Sequence, residues 1–162
     1  MITQDQVKKL FCYDSNTGIL TNRIHRSTRS RAGHSIGNSD SGGYLTTKID
    51  SVQYKVHRVI FIYVYGYLPR YVDHIDGDRL NNKTNNLRQA TFSQNQQNTK
   101  IMKNNTTGCK GVSWCKKRRM YASRLYFKGK NKHLGYFYDL DVAAQVLRIK
   151  RVELHGEYAN HG

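Results

Sequence analysis

The chain has 162 residues and is strongly basic, with 27 Lys and Arg against 11 Asp and Glu and a formal net charge of +16. A chain of this length forms one domain of ordinary size or two small ones. The charge predicts an anionic polymer as partner, with nucleic acid the first candidate and an acidic membrane surface the second. The longest apolar run, Val59 to Leu68, is too short to span a bilayer, and the first residues lack a signal peptide. We therefore expect an intracellular protein with no membrane partner.

The amino-terminal residues combine predicted secondary structure with a basic loop. Thr3 and Gln6 form a capping box at the start of a helix over residues 3–11. Ile19 to Thr21 begins a strand, and the stretch that follows it is poor in apolar residues up to Gly33. Its arginines are candidates for contact with DNA phosphates, and a solvated loop is the alternative. These candidates are Arg26, Arg29 and Arg31.

A hairpin and an apolar segment come next. Residues 44–49 and 53–57 alternate in polarity on either side of a turn, which predicts a β-hairpin. The run from Val59 to Tyr67 is apolar and aromatic, and its periodicity alone does not separate a buried helix from a strand. Gly66 and Pro69 supply the stop signal of a helix, so we predict a helix here.

The pair Asp73-His74 opens the most informative stretch of the chain, which continues as an asparagine-rich run. Asn86 follows His74 by twelve residues, and Asn95 follows Asn86 by nine. A carboxylate and an amide oxygen are hard ligands for a divalent cation, and an imidazole titrates near neutrality. Such a set can activate water and neutralise charge on a phosphodiester. A polar turn with asparagines that merely cap loops is the alternative.

Local patterns place this set on a hairpin followed by a helix. The turn residues Asp76-Gly77-Asp78 predict that the chain folds back after His74. Ser93 has the character of an N-cap for a short polar helix that carries Asn95. The residues expected in the core of this segment are Val72, Ile75, Leu80 and Leu87.

At these spacings, Asp73-His74, Asn86 and Asn95 resemble the HNH nucleases with a ββα-metal motif, in the variant of phage and group I intron homing endonucleases that has Asn as the last residue. The resemblance implies that His74 is the general base, that Asp73 and Asn95 hold one metal ion, and that Asn86 braces the hairpin. Oxygen ligands favour Mg²⁺ or Mn²⁺ over Zn²⁺. The same nucleases have a helix after a His-Arg pair, which makes Arg58 a candidate for contact with the scissile phosphate. A structural ion pair is the alternative for Arg58.

The last third of the chain changes to a pattern of three strands and one helix. The predicted strands are residues 107–115, 120–127 and 132–137. Asp139 or Asp141 then caps the helix. The polar residues 100–107 are predicted to be a linker between this region and the nuclease segment.

This layout, with Gly111-Val112, Leu134-Gly135-Tyr136-Phe137 and Ala143-Ala144 in these places, resembles the Apetala/ethylene-response-factor DNA-binding domain. In that family the three-stranded sheet lies in the major groove. The residues that the resemblance places near DNA are Lys110, Ser113, Trp114, Lys116, Arg118, Arg124 and Tyr126. A small α+β domain whose lysines are only solvated is the alternative.

The sequence as a whole predicts an α+β protein in two parts. The first is an HNH nuclease domain over residues 1–99, with amino-terminal helix and hairpin elements and the ββα-metal motif at about 70–99. After the linker, residues 108–162 form the small three-stranded antiparallel sheet and helix that bind DNA.

The predicted function is a metal-dependent, homing-type endonuclease of a phage or mobile element that hydrolyses phosphodiester bonds in double-stranded DNA. One active site and no obvious dimerisation helix favour nicking by a monomer, with a dimer as the alternative. The main rival is a DNA-binding regulator with a vestigial nuclease motif. A third reading is an RNA-binding accessory protein, which stacking on the tyrosines would allow.

Overall fold

A computed structural model describes residues 2–162 and divides the chain into two compact units, one ending at Ala90 and one beginning at Thr91. Both units combine α-helices with small antiparallel sheets, as expected for an α+β protein. None of the helices in residues 2–162 has the length and apolar character needed to cross a membrane. The predicted linker and domain limits at residues 99 and 107 stay predictions.

Within residues 2–90, two α-helices accompany three sheets of two antiparallel strands each. The elements are α1 (Gln4–Leu10), β1 (Phe11–Asp14), β2 (Ile19–Asn22), β3 (Thr46–Ile49), β4 (Val52–Lys55), α2 (Val56–Tyr65), β5 (Tyr71–His74) and β6 (Leu87–Ala90). The pairs are β1 with β2, β3 with β4, and β5 with β6. Each sheet therefore consists of two strands that are neighbours in this strand numbering.

The helix ends of this unit show which sequence signals decide the boundaries. The predicted capping box at Thr3 and Gln6 is present at the start of α1, and Gly66 ends α2 with φ of 79°. However, α1 stops at Leu10, because the next residue already pairs in β1. Helix α2 begins at Val56 rather than Val59, so its first turn contains His57, which the sequence analysis had placed at the end of the hairpin.

The apolar core of this unit forms around α2. Four consecutive residues of the helix, Val59 to Ile62, are buried together with Val7 and Phe11 from the amino-terminal elements. Val72 and Leu87 are buried in the hairpin, as predicted. The prediction was wrong for Ile75 and Leu80, which are 44% and 57% exposed, because both lie in the loop beyond the strands.

Residues 91–162 contain a three-stranded antiparallel sheet and a long helix, in the predicted order. The elements are α3 (Phe92–Gln97), β7 (Val112–Cys115), β8 (Met120–Phe127), β9 (Lys130–Phe137) and α4 (Leu140–His155). The N-cap of α3 is Thr91, which forms a capping box with Gln94, and the prediction of Ser93 was wrong. Asp139 caps α4.

Helix α4 packs on one face of this sheet. Val112 and Leu125 of the sheet form a buried cluster with Ala143 and Leu147 of the helix. The hydroxyl of Ser123 donates a hydrogen bond of 2.8 Å to the Ala143 carbonyl. Since side chains alternate along a strand, the neighbours of Ser123 and Leu125 in β8 project to the opposite face.

The close approach of β8 and α4 at Gly111 allows a direct test of the packing. A Cβ at Gly111 would lie 2.7 Å from the Arg124 carbonyl oxygen and 2.9 Å from Leu147, whereas a Cβ at Gly129 would meet nothing within 4 Å. Both glycines have positive φ, of 84° and 78°. We expect Gly129→Ala to lower the free energy of unfolding by about 1 kcal/mol through backbone strain alone, and Gly111→Ala by about 3 kcal/mol or more. Urea unfolding of the full chain measures both, and equal losses would contradict the packing.

Candidate active site

The β5–β6 hairpin presents the predicted catalytic pair. Its register places Asp73 opposite Arg88 and His74 opposite Leu87. His74 is the last residue of β5, and the loop of residues 75–86 returns the chain to β6. Both Asp73 and His74 are 4% exposed, so the strand ends with two buried polar side chains in succession.

The imidazole of His74 is held by Asn82. Nε2 lies 3.1 Å from the Asn82 Oδ1, while Nδ2 of the same amide donates to the Leu80 carbonyl at 3.3 Å, which fixes the orientation of the amide. Because an amide oxygen only accepts, Nε2 carries the proton, and the neutral ring has its basic lone pair on Nδ1. Burial lowers the pKa of His74 and outweighs the Asn82 hydrogen bond and the nearby aspartates, which raise it. The ring is therefore neutral at pH 7.

A second histidine and a tyrosine pack against His74. The His57 and His74 rings meet edge to face with centroids 4.8 Å apart, and the Tyr44 ring lies 5.2 Å from His57 and 6.0 Å from His74. Burial, the neighbouring His74 and the charges of Lys55 and Arg58 lower the pKa of His57 to about 3. His57 is therefore a neutral part of the wall around His74.

Asn86 closes the loop that follows His74. Its Oδ1 accepts from the Asp76 amide at 3.0 Å, and its Nδ2 donates to the Asp76 carboxylate at 2.9 Å and to the Asn81 carbonyl at 2.7 Å. These hydrogen bonds connect both sides of the loop, and Asn86 itself is buried. They suit a residue that braces the hairpin, while its effect on catalysis stays a prediction.

Asp73 is paired with an arginine that the sequence analysis did not identify. Arg88 places Nη2 and Nε at 2.9 Å and 3.0 Å from the Asp73 Oδ2. The pairing follows from the register, because the two residues face each other across the hairpin. A carboxylate has two oxygens and about four acceptor sites, so one guanidinium does not exhaust its capacity for a cation.

The proposed ligands are compatible with a hard divalent ion. The Asp73 carboxylate and the Asn95 amide are oxygen donors, which Mg²⁺ and Mn²⁺ accept. Asn95 is half-buried in α3, and this helix belongs to the second unit. Within residues 2–162, no group of three His, Cys, Asp or Glu side chains is arranged to hold a metal.

Two of the predicted basic residues of the first unit are engaged within the protein. Arg58 donates to the Arg70 carbonyl at 3.1 Å. The Arg26 guanidinium donates to the Asn22 side chain, the Thr47 hydroxyl and the Lys48 carbonyl. Burial lowers the pKa of both guanidinium groups. Arg29 and Arg31, by contrast, are exposed.

The open face of the second sheet carries most of the predicted DNA contacts of that unit. Arg124 and Tyr126 are exposed and alternate with the buried Ser123 and Leu125, so they lie on the face away from α4. The Arg118 guanidinium lies over the Tyr136 ring, 4.6 Å from its centroid. Other exposed polar residues on or beside this sheet include Ser113, Lys116 and His133.

Lys110 and Trp114 are placed differently from the rest of that predicted set. The Lys110 ammonium donates to the Gln97, Thr99 and Asn160 carbonyls, and burial lowers its pKa to about 8. Trp114 alternates with Ser113 and packs edge-on against Tyr121 at 4.8 Å, on the side of the sheet that holds α4. Neither residue is on the open face with Arg124.

Comparison with known proteins identifies an endonuclease segment in the chain. Residues 54–97 match the HNH endonuclease family. The chain is 43% identical over 89 residues to Protein 3.8 of Escherichia phage T7, an alignment that covers 55% of this chain and 73% of that protein. The chain belongs to the HNH endonuclease family. It is also 33% identical over 108 residues to an uncharacterized HNH endonuclease of Acanthamoeba polyphaga mimivirus, covering 65% of this chain and 55% of the relative.

The HNH segment contains the whole predicted catalytic set, from Arg58 through Asp73, His74 and Asn86 to Asn95. Family membership supports a nuclease and favours a divalent ion, without deciding between Mg²⁺ and Mn²⁺. No solved structure matches the chain.

Three contacts of the HNH site were missed from the sequence. Asn82 is one of several asparagines in a row, so its bond to His74 had no distinguishing signal. Arg88 had no clear signal either, because the loop of residues 75–86 separates the strands and the turn at Asp76-Gly77-Asp78 does not fix their register. Tyr44 lies outside the motif, and no sequence spacing connects it with His74.

The buried neutral His57 predicts a pH dependence of stability. Its pKa is about 3 in the folded protein against an ordinary value of 6.5, so the unfolded chain takes up a proton first as the pH falls below 6.5. The free energy of unfolding should fall by about 1.4 kcal/mol per pH unit from this group between the two values. In His57→Phe this part of the slope should disappear, as measured by urea unfolding at pH 7, 6 and 5.

The exposed His34 provides the control, since His34→Phe should keep the slope of the parent. The lowered pKa of His74 contributes to the slope of the parent and of His34→Phe alike. An unchanged slope in His57→Phe would show that His57 is charged in the fold.

Proposed function

We propose that the chain is a metal-dependent, homing-type DNA endonuclease in which His74 is the general base. The observation that carries the proposal is the buried His74 ring, held neutral with its lone pair on Nδ1, next to Asp73 in the sequence of an HNH chain. A neutral imidazole is the form that accepts a proton from water near pH 7. The net charge of +16 supports a polyanionic substrate.

In this mechanism, His74 accepts the proton of the attacking water at Nδ1. Asn82 keeps the ring in the required tautomer, and Asn86 holds the loop that carries Asn82. A divalent ion held by Asp73 and Asn95 would supply Lewis-acid stabilisation of the negative charge at the phosphate. The expected products, by resemblance to the family, carry 5′-phosphate and 3′-hydroxyl ends.

The second unit has a basic and aromatic surface that supports the proposal. Arg124 and Tyr126 on its open face, with Arg118 over Tyr136, combine positive charge with aromatic rings. Such a surface suits phosphate contact and base contact in a groove. Lys110 and Arg26 are not included, because their hydrogen bonds lie within the protein. Trp114 is not included, because it lies on the side of the sheet that holds α4.

Cleavage of supercoiled plasmid tests the nuclease. With Mg²⁺ or Mn²⁺ the parent should convert it to open-circle DNA by nicking, and with EDTA it should not. His74→Ala should lower the rate by about 10²- to 10⁴-fold, the usual contribution of a general base, and leave the Kd for DNA nearly unchanged.

His34→Ala serves as the matched control, because His34 is exposed and should be dispensable. Equal loss of cleavage and binding in His74→Ala would indicate a folding role for His74. Metal-independent cleavage by the parent would exclude the proposed site.

The rival reading, a DNA-binding regulator with a vestigial motif, is favoured only by the basic open face of the second unit. Arg124→Gln should weaken duplex binding and lower the slope of log Kd against log salt by about 0.9, the value for one phosphate contact. Arg148→Gln removes the same charge from an exposed position on α4, behind the sheet, and should change little. Binding with no cleavage under any metal would favour the regulator, and tighter binding of RNA than of DNA would favour an RNA partner.

A further inference from the structure

Two cations are held on one aromatic ring beside His74. The Lys55 ammonium lies 3.7 Å from the centroid of the Tyr44 ring, and the Arg79 guanidinium carbon lies 4.8 Å from the same centroid. The ring also lies 6.0 Å from the His74 ring. The three side chains come from separate segments: the residues before β3, the end of β4 and the loop after His74. None of them belongs to the catalytic set that the sequence predicted.

The backbone around Tyr44 is built to hold this arrangement. Asp40 accepts from the Gly42 and Tyr44 amides, both at 2.9 Å, and its own amide donates to the Tyr44 carbonyl. Arg79 donates from Nη1 to the Gly42 carbonyl. The same turn therefore positions both the ring and one of the two cations.

Neither cation is ion-paired in the part of the chain that the structure describes. Within residues 2–162, no carboxylate lies at ion-pair distance from Lys55 or Arg79. Two like charges near one ring repel each other, and cation–π attraction offsets this by about 0.5–2 kcal/mol for each. An anion between or beside them would relieve the repulsion and gain charge-assisted hydrogen bonds.

We propose that Lys55 and Arg79 bind a DNA backbone phosphate at the mouth of the active site, and that Tyr44 is the positioning residue that holds both. This inference rests on the proposed function and adds the residues that place the substrate against His74. It also gives the phosphate-binding role to residues other than Arg58, which donates to the Arg70 carbonyl. The binding partner is a phosphodiester, and its geometry relative to His74 decides which bond is attacked.

The uncharged substitution at Tyr44 is the most discriminating test. Tyr44→Leu removes the ring without changing the charge of the protein, whereas Tyr44→Phe keeps the ring. We expect Tyr44→Leu to weaken binding to a duplex of about 20 base pairs in EDTA by about fivefold and to lower the slope of log Kd against log salt, with Tyr44→Phe like the parent. A merely structural role for the ring would lower the melting temperature but would leave the salt slope unchanged.

The charges themselves are tested by Lys55→Gln and Arg79→Gln. Each should lower the salt slope, and the two together by about 0.9, the value for the one phosphate that they share. Each should also raise KM for plasmid cleavage more than it changes kcat. Lys9→Gln, at an exposed position on α1, is the matched control and should behave as the parent. If Lys55→Gln and Arg79→Gln both keep the salt slope of the parent, the proposed phosphate site is wrong.

The two levels of proposal fail separately. If the parent cuts and His74→Ala does not, while the Tyr44, Lys55 and Arg79 variants bind as the parent does, only the phosphate site is wrong. If the parent does not cut with Mg²⁺ or Mn²⁺ but the salt slopes change as expected, the phosphate site stands and the nuclease is wrong.

Discussion

The register of the β5–β6 hairpin is the constraint on which the candidate active site depends. With four residues paired on each strand, Asp73 must face Arg88, and His74 must end its strand where the chain turns into the loop. A slip of one residue would exchange the two faces, exposing Val72 and burying the wrong polar groups. The loop is tied by Asn86 and Asn82 on the far side, so the register is specified both by apolar burial and by hydrogen bonds.

Burying polar groups in so small a unit lowers its stability unless they have partners. In this site, hydrogen bonds and an ion pair supply those partners. Asp73 has Arg88, His74 has Asn82, and Asn86 has the Asp76 loop. A buried polar group without a partner costs about 1–3 kcal/mol, so each of these contacts protects stability as well as geometry. The His57 ring is buried in its neutral form, because burial lowers its pKa, so no charge is buried there. The site is thus stable when its histidines are uncharged, which is also the form that general-base catalysis requires.

The second unit separates its positive charges into two groups. Lys110 and Arg151 are turned inward and donate to main-chain carbonyls or to neighbouring side chains, which organises the carboxyl-terminal residues. Arg118 and Arg124 are exposed on or beside the open face of the sheet. Net charge alone does not make this distinction. A lysine that donates to three carbonyls and a lysine that binds a phosphate contribute the same charge to the composition.

The sequence by itself determined the order of elements apart from β1, the capping box at Thr3 and the reverse turn after His74, since these depend on contacts between near neighbours. It also determined the family, because the spacing of Asp73, His74, Asn86 and Asn95 reflects a local hairpin and helix. Tertiary structure alone decided that Tyr44 and His57 contact His74. It also decided that Arg88 pairs with Asp73 and that Lys110 donates to carbonyls within the protein. These contacts join residues far apart in the chain or on facing strands. Their distances depend on how the elements pack, which local propensity does not encode.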